Sequence, residues 1–327
     1  MRIFKFHKIN PKARSEINTG FGVNYSDYGG RFVNKNGNPN IKRKGIGYFE
    51  RISWYHILLE MPRWKFFLTI VLFYLFINLL FSTVYYFLGP DEFGGTHTYS
   101  HFKQFAEAFF FSSQSFTIGG YGRVDAGNLL INGLCAFEAF LGLLSLAVVT
   151  GLLYGRFSRP KAYIRFSGNA LLAPFRNGMA IMLRLAPFKN TTLTDAEAKL
   201  TLGIAIEENN KMINKFYQLP LEYHSVNSLT LSWTIVHPIN ETSPFYNFTE
   251  EDFKNVKGEI LVFVKAFDDM FSNTVVTRTS YTLKELIIGA KFNPMYQRSE
   301  GENKTLLHLD KLNSFSLVDL NFSPEKN

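Results

Sequence analysis

The chain has 327 residues, of which 46% are hydrophobic and 19% charged, and Phe alone occupies 34 positions. This apolar content excludes a disordered chain, and a low charged share with many phenylalanines is typical of proteins whose side chains face lipid. The formal charge is +8, from 35 basic and 27 acidic residues, and the single cysteine, Cys135, excludes an intrachain disulfide and a multi-cysteine metal site.

A cluster of basic residues surrounds the start of the first long apolar run. Its members are Lys42, Arg43, Lys44, Arg51, Arg63 and Lys65. Such a cluster can be a solvated face or a nucleic-acid patch, but its place beside a spanning segment favours membrane orientation and contact with anionic lipid. We therefore expect membrane lipids as partners and no nucleic acid.

A short amphipathic pattern occupies residues 53–62. Its apolar face carries Trp54, Ile57, Leu58 and Met61, and Pro62 ends the helix. Because a spanning segment comes next, we interpret this pattern as an interfacial helix along the inner leaflet. A packed soluble helix has the same periodicity, so the interpretation depends on that neighbour.

Two apolar runs are long enough to cross a bilayer. Residues 66–88 carry no charge, and residues 129–154 are interrupted only by Glu138. At about 1.5 Å per residue, each run exceeds the roughly 30 Å hydrocarbon core. The segment between the runs contains only two basic residues, Lys103 and Arg123, whereas many basic residues lie before the first run and after the second. We therefore predict a multi-pass protein of the plasma (cell inner) membrane with both termini cytoplasmic.

Between the two runs, a short helical pattern precedes a glycine-rich string. Residues 102–116 are apolar but cover only about half of a spanning length, which is typical of a re-entrant segment. The string that follows is Thr117, Ile118, Gly119, Gly120, Tyr121 and Gly122. Such a stretch is often only a turn. With a short helix before it and a span on each side, it is instead predicted to be an ion-selectivity filter lined by carbonyl oxygens.

The chain resembles the prokaryotic branch of the inward-rectifier potassium channels over nearly its whole length. The strings that carry the resemblance lie at 21–45, at 155–178 (GRFSRPKAYIRFSGNALLAPFRNG) and at 237–246 (HPINETSPFY). The resemblance implies a homotetramer, a cytoplasmic immunoglobulin-like β-sandwich and passive potassium conduction. It implies no cofactor other than potassium ions in the filter, at Gly119, Gly120 and Tyr121.

The filter string departs from the Thr-Val-Gly-Tyr-Gly pattern of that family. Without a gap, Ile118 and Gly119 replace the usual threonine and valine. With a gap, Thr117, Ile118 and Gly119 keep the pattern and Gly120 is an inserted residue. Either way the innermost ion sites change and an added glycine loosens the backbone, so we expect cation conduction with weakened potassium selectivity.

The resemblance also implies roles for residues around the pore. Gly142 and Gly151 match glycines that let the inner helix bend, and Tyr154 matches the aromatic residue that closes the cytoplasmic mouth. Tyr154 can instead be an interfacial anchor, as tyrosines often are at helix ends. Leu146 stands where strongly rectifying relatives carry an acid, and Gln114 stands where relatives carry a glutamate behind the filter.

Glu138 is the only charged residue inside the second apolar run. A carboxylate at the bilayer centre costs about 2.5 to 3.5 kcal/mol on insertion scales, so its side chain should face protein. We predict a structural role behind the filter, with direct contact to permeating ions as the alternative. Neither run carries the regular basic series of a voltage sensor.

After Pro160, short alternating or β-branched runs replace the long apolar ones. We predict strands at 179–186, 199–206, 228–236, 259–267 and 273–281. Several strands separated by turn residues favour a β-sandwich, although a barrel has the same pattern. The resemblance implies the sandwich.

These interpretations predict four regions along the chain. They are a cytoplasmic N-terminal segment at 1–47, an interfacial helix at 48–63, a two-helix membrane domain with a re-entrant pore helix at 64–156 and a cytoplasmic β-sandwich at 157–327. Basic residues at the ends of the cytoplasmic regions are expected to bind anionic lipid headgroups. They are Lys42, Arg43, Lys44, Arg159, Lys161 and Arg165.

Catalytic and metal-binding patterns are weak. His97 and His101 lack a third ligand and are interpreted as polar loop residues. The acidic runs at 250–252 and 268–269 lack a calcium-loop spacing and are interpreted as solvated faces. No nucleotide-binding loop or catalytic triad spacing occurs, so we expect no enzyme. The rival class is a membrane-anchored β-domain that binds or senses a partner without conduction.

Overall fold

The computed structural model describes residues 9–16, 19–21, 31–45, 47, 50, 52–88, 93–94, 100–120, 125–126, 129–208, 211–299 and 303–320. They form two compact units. One is Lys44–Arg159, and the other combines Pro160–Asn327 with Met1–Arg43. The N-terminal segment therefore packs with the β-rich half of the chain, through its described residues.

Four helices make up most of the unit Lys44–Arg159. They are α1 (Trp54–Glu60), α2 (Arg63–Leu88), α3 (His101–Phe116) and α4 (Leu129–Phe157). With 26 and 29 residues, α2 and α4 are long and apolar enough to cross a membrane, whereas α3 has 16 residues and is too short. Ser53 caps α1 by accepting the N–H of His56, and Pro62 follows its end.

A cluster of buried side chains joins α2, α3 and α4. Its members are Phe81, Tyr85, Ala108, Phe111 and Ile131. The rings of Tyr85 and Phe111 meet edge to face with 5.1 Å between centroids, a preferred geometry for buried aromatic pairs. The short helix α3 is thus held by packing against both long helices.

A two-stranded ladder closes the segment that contains α3. Strand β1 (Phe93–Gly94) precedes the helix and strand β2 (Asp125–Ala126) follows the glycine-rich string. The strands are antiparallel, with Phe93 opposite Ala126 and Gly94 opposite Asp125. The two ends of this segment therefore meet.

Within its described residues, the second unit contains fourteen strands, a short helix and two short 3₁₀ turns. The strands are β3 (Ile164–Phe166), β4 (Ala170–Phe175), β5 (Gly178–Pro187), β6 (Leu193–Glu208), β7 (Lys211–Leu219), β8 (Ser225–Ser228), β9 (Trp233–Ile239), β10 (Gly258–Asp268), β11 (Asn273–Thr282), β12 (Leu286–Ile288), β13 (Ala290–Phe292), β14 (Tyr296–Arg298), β15 (Thr305–Leu307) and β16 (Phe315–Leu317). Helix α5 (Glu250–Asn255) precedes β10.

Two five-stranded sheets enclose one hydrophobic core. The first sheet has the order β11-β10-β6-β7 with β8 on β6, and the second has the order β12-β4-β5-β3 with β9 on β5. Leu183 and Ile235 of the second sheet share the core with Leu202, Ile260 and Val262 of the first. Burial of the facing sides of two sheets explains the alternating pattern along these strands.

The strand predicted at 228–236 is wrong in its bounds. The structure has β8 ending at Ser228 and β9 beginning at Trp233, and the two strands belong to different sheets. Between them Leu229 is buried, and its N–H donates to Leu193 O. The chain passes from one sheet to the other here, but apolar and polar residues continue to alternate. The alternation therefore gives no sign that one strand ends and another begins.

Residues 31–40 lie against the first sheet. The buried carboxylate of Glu259 accepts the backbone N–H groups of Phe32 and Val33 at 2.5 and 3.1 Å. Arg31 pairs with Glu285 at 2.9 Å. Burial alone would raise the pKa of Glu285, but the N–H of Thr282 and the Arg31 guanidinium hold it below its usual value. The N-terminal segment is therefore fastened to this unit by charge-assisted hydrogen bonds.

Candidate functional site

The site begins where α3 ends and the glycine-rich string starts. Thr117 caps the helix in a right-handed conformation, and its hydroxyl donates to Ser113 O at 2.7 Å. The N–H of Gly119 turns back to Gln114 O at 2.8 Å. Of the predicted filter residues, the structure describes 117–120, while Tyr121 and Gly122 lie outside the described residues.

The backbone of the string has positive φ at alternate residues. φ is +57° at Ile118 and +40° at Gly120, with no positive value at Gly119. Positive φ lets the chain place its peptide groups in directions that regular helix and strand do not allow. A β-branched residue is a strained outlier in the left-handed region and persists only where its surroundings hold it, which is a feature of functional sites.

A buried hydrogen-bond network lies behind α3. Glu138 of α4 is fully buried, and its two carboxylate oxygens accept the hydroxyls of Ser112 at 2.5 Å and Tyr85 at 2.7 Å. Ser112 Oγ also lies 3.2 Å from Asn78 Oδ1 on α2. The predicted inward-facing carboxylate is thus placed among protein groups from all three helices, as a buried carboxylate requires.

A further hydrogen bond ties α2 to the last turns of α3. The hydroxyls of Tyr74 and Ser113 lie 2.5 Å apart, and the Tyr74 ring meets Phe116 edge to face at 5.9 Å. Asn78 in turn donates to Tyr74 O at 2.7 Å. The helix end that leads into the string is therefore held from the α2 side as well as from α4.

The two glycines predicted as bending points of α4 have different surroundings. A β-carbon built on Gly142 would lie 1.9 Å from the carbonyl oxygen of Phe116, whereas one built on Gly151 would meet nothing within 4 Å. Helix α4 is continuous through both positions. Gly142 is a close-contact position and Gly151 an open one.

A cavity of about 280 Å³ lies beside the start of the string. Ile118, Gly142 and Leu146 are among its lining residues. Tyr154, two turns further along α4, is outside this lining and 75% exposed within the single chain. Gln114 is half-buried on α3, and Arg123, which follows the string, lies outside the described residues.

Arg156 is a functional candidate that the sequence analysis did not single out. Its guanidinium donates to Leu58 O at 3.1 Å and also to Met61 O, the unpaired carbonyls at the end of α1. It also covers the Phe66 ring at 5.0 Å. One side chain near the end of α4 thus holds α1, and no periodicity in the sequence indicates such a contact.

The predicted lipid-binding residues are all exposed. Lys44 and Arg159 belong to the unit Lys44–Arg159, and the other four belong to the β-rich unit. Arg165 covers the Phe188 ring at 4.8 Å. Among the described residues, none of the six forms an ion pair. Their charges are available to anionic groups.

The interpretation of the acidic runs as solvated faces is wrong for two of their members. Asp252 is buried and accepts the N–H of Thr249 at 2.9 Å in a capping box. Asp268 is buried and accepts the N–H of Met270 at 3.0 Å in the turn after β10. Short carboxylates favour helix caps and turns because they satisfy free backbone donors there.

Of the two histidines interpreted as polar loop residues, only His101 lies within the described residues, and the interpretation is wrong for it because it is helical. His97 lies outside the described residues, and His101 begins α3, where its ring lies 3.1 Å from the Tyr86 hydroxyl. Within the part of the chain that the structure describes, no group of three or more His, Cys, Asp or Glu side chains could hold a metal.

Known proteins resemble this chain in both halves. Residues 164–325 match the family model described as the inward rectifier potassium channel C-terminal domain. Over 268 residues the chain is 34% identical to the inward rectifier potassium channel Kirbac3.1 of Paramagnetospirillum magnetotacticum, and the match covers 80% of this chain and 88% of that protein.

Two animal proteins are similar at lower identity. The inward rectifier potassium channel irk-1 of Caenorhabditis elegans is 25% identical over 297 residues, covering 83% of this chain and 54% of its own length. The G protein-activated inward rectifier potassium channel 1 of Bos taurus is 24% identical over 294 residues, covering 83% and 58%. The chain thus spans a little over half of each animal relative.

Proposed function

This chain belongs to the inward rectifier potassium channel family, and we propose that four copies of it surround one pore. Passive potassium conduction is the function of the family, which is a family of membrane channels and not of enzymes. In the proposed assembly, α2 and α4 span the membrane, α3 is a re-entrant pore helix and both termini are cytoplasmic.

The observation that carries the proposal is the anchoring of the short helix α3. Glu138, Ser112 and Tyr85 hold it from behind, and its end leads into a string with positive φ at Ile118 and Gly120. Carbonyl oxygens turned to one side can replace the water around a potassium ion when several copies contribute them. We assign ion coordination to Gly119, Gly120 and Tyr121, with Thr117, Ile118 and Gly122 completing the filter.

Assembly is supported by the apolar surface that one copy leaves uncovered. Only 17% of the apolar stretch of α2 and 11% of that of α4 are buried within a single chain. Lipid can cover one side of these helices. The glycine-rich string can surround an ion only when other copies of the chain supply the remaining walls of the filter. A single copy supplies one wall of the filter.

Gating is proposed at the end of α4. The Tyr154 side chain is exposed in the single chain and would point to the pore axis in the assembly, where four rings make a hydrophobic constriction. Leu146 lines the cavity beside the filter without a charge, so it offers no acidic site for a blocking cation. Arg156 joins this end of α4 to α1, so a displacement of either helix also moves the other.

Regulation by lipid is proposed for the exposed basic residues. Each could gain about 1 kcal/mol from an anionic membrane surface. Lys42, Arg43 and Lys44 precede α1, while Arg159, Lys161 and Arg165 follow α4. Lipid bound at these positions acts on gating only if it favours one arrangement of the helices over another.

The test is ion flux through the purified protein in liposomes. Rubidium uptake driven by an outward potassium gradient, blocked by barium, is the expected result, and native mass spectrometry of the same preparation should give four copies per particle. Absence of flux from intact tetramers would overturn the conduction proposal. Particles of any other copy number would overturn the arrangement around one pore.

A further inference from the structure

We infer that Gly142 positions the entrance of the filter by receiving the backbone of Phe116, and that it is not a bending point of α4. This inference rests on the proposed function because it names a residue that sets the geometry of that filter. It concerns a contact between α4 and the last residue of α3.

The contact leaves no room for any side chain. A β-carbon on Gly142 would lie 1.9 Å from Phe116 O, 2.9 Å from Phe116 C and 3.4 Å from Phe116 Cα. All three are backbone atoms, so no change of rotamer can relieve the overlap. A real β-carbon needs at least 3.0 Å, and the two helices must separate to provide it.

Among the described residues, the Phe116 carbonyl accepts no backbone hydrogen bond. The N–H groups of Thr117, Ile118 and Gly119 donate to Ser113, Ser115 and Gln114, and no described N–H donates to Phe116 O. A carbonyl at a helix end is normally satisfied by a cap or by water. Here the α-carbon of a glycine faces it, which is the geometry in which a Cα–H group acts as a weak donor.

A shift of Phe116 affects the filter because the two are close along the chain. Phe116 is two residues before Ile118, where the strained positive φ begins. A displacement of Phe116 by about 1 Å is passed directly to the first carbonyls of the string, because few bonds separate them. Ion selectivity depends on how the coordinating carbonyls are held, so this displacement alters selectivity before it alters anything at the cytoplasmic end.

The bending role does not suit this position. A hinge needs freedom for its backbone to change, yet Gly142 is buried and faces the Phe116 carbonyl. Gly151 has nothing within 4 Å of its β-carbon position and is exposed. If one of the two glycines permits bending, the open surroundings favour Gly151.

The experiment compares the same substitution at three glycines of α4. Gly142→Ala adds the overlapping methyl group, whereas Gly151→Ala and Gly133→Ala add it in open space. Potassium-over-sodium permeability is measured from reversal potentials in reconstituted liposomes. We expect Gly142→Ala to lower the ratio towards that of a non-selective cation pore, because the carbonyls of the string are no longer held, and both controls to keep the wild-type ratio within about twofold.

A second measurement decides the inference independently of flux. Hydrogen–deuterium exchange at the amides of 117–119 should rise in purified Gly142→Ala and stay unchanged in Gly151→Ala. Unchanged exchange in Gly142→Ala would overturn the inference whatever the flux shows. A wild-type protein that folds but conducts nothing would instead overturn the proposed function, and the exchange result would still decide the contact.

Two further outcomes separate positioning from bending. A lower open fraction in Gly142→Ala at unchanged selectivity would identify a hinge and overturn the inference. If Gly142→Ala fails to assemble, a linked tetramer with one substituted copy keeps the test possible. Lowered selectivity in that linked channel supports positioning, and unaltered selectivity overturns it.

Discussion

Ser112 and Glu138 meet at 2.5 Å, and this hydrogen bond joins the short helix α3 to the second spanning helix inside the protein. The second carboxylate oxygen of Glu138 is occupied by the Tyr85 hydroxyl of the first spanning helix. Both oxygens thus point to protein groups. A carboxylate held in this way is suited to fix α3 and, with it, the start of the proposed filter.

Glu138→Ala should destabilise the assembly, because it leaves the Ser112 and Tyr85 hydroxyls without their shared acceptor. The expected loss is about 2 kcal/mol, and the thermal stability of the purified protein measures it. Glu138→Gln keeps an acceptor oxygen and the volume, so selectivity and most of the stability should be retained. A strong change of conductance in Glu138→Gln at full stability would indicate contact with permeating ions instead.

The two alignments of the filter make different predictions. If Gly120 is an inserted residue, deleting it leaves Thr117, Ile118 and Gly119 directly before the tyrosine and should raise potassium-over-sodium selectivity. If the alignment has no gap, the pair Ile118→Thr and Gly119→Val should raise it and the deletion should disrupt the filter. Reversal potentials in mixed potassium and sodium decide between them.

The altered string also predicts the ion selectivity of the wild-type protein. We predict barium-blocked flux with a lower potassium preference than in relatives that carry the usual pattern, since the added glycine loosens the backbone. A strongly potassium-selective reversal potential would contradict this expectation.

Tyr154→Ala should increase flux, because four large rings at a hydrophobic constriction are replaced by methyl groups. Phe157→Ala is the matched control, since Phe157 is also an exposed aromatic residue on the last turn of α4. Flux that rises only in Tyr154→Ala supports a gate. Equal behaviour of the two variants would make Tyr154 an interfacial anchor.

Anionic phosphoinositides should change flux, with inhibition expected from the resemblance to prokaryotic members. Neutralising Arg159 and Lys161 together should reduce the response, because each contributes attraction to the headgroups. The control neutralises Lys199 and Lys291, which are exposed on β6 and β13. A flat dose series in the wild type would contradict the prediction, and an undiminished response in the double variant would place the lipid site elsewhere.

His237 gives the β-rich unit a pH-dependent stability. The ring is buried, with Nδ1 donating to Pro220 O at 2.6 Å and Nε2 accepting the Ser243 hydroxyl at 2.8 Å. Burial lowers its pKa to about 4. Between that value and the ordinary pKa of about 6.5, the unfolded state binds a proton that the folded state does not. Stability is therefore complete above the upper value and falls as the pH approaches the lower one.

The size of this effect is about 3 kcal/mol over that range. Denaturant unfolding followed by the fluorescence of buried Trp233, which lies on the same strand, measures it. His237→Gln removes the titrating group and should flatten the dependence between pH 6.5 and 4. A slope that persists in this variant would assign the proton uptake to another residue.

The apolar runs of the sequence predict the helices of the unit Lys44–Arg159 well. The runs at 66–88 and 129–154 fall inside α2 and α4, and 102–116 falls inside α3. These segments are set by apolar length and by breakers such as Pro62, which are local properties. The strand bounds near Ser228 are missed because changing sheet is a tertiary event without a local signal.

The candidate site is only partly contained in the sequence. That Glu138 faces protein follows from the cost of a charge in lipid, but its partners Ser112 and Tyr85 are far apart in the chain and carry no shared pattern. The same holds for Arg156 and the end of α1. Gly142 illustrates the limit most clearly, since a glycine in a helix reads the same whether it bends or receives a neighbouring backbone.

The pairing of β1 with β2 makes the filter segment exchangeable. Because Phe93 lies opposite Ala126 and Gly94 opposite Asp125, the chain enters and leaves this segment at one place. A cassette bounded by these two strands can be transplanted between related channels without changing the distance that the recipient helices must bridge. Chimaeras cut at this ladder would carry the filter string with the donor and leave its supports Gly142 and Glu138 with the recipient, so ion preference would follow the donor only where the recipient has both residues.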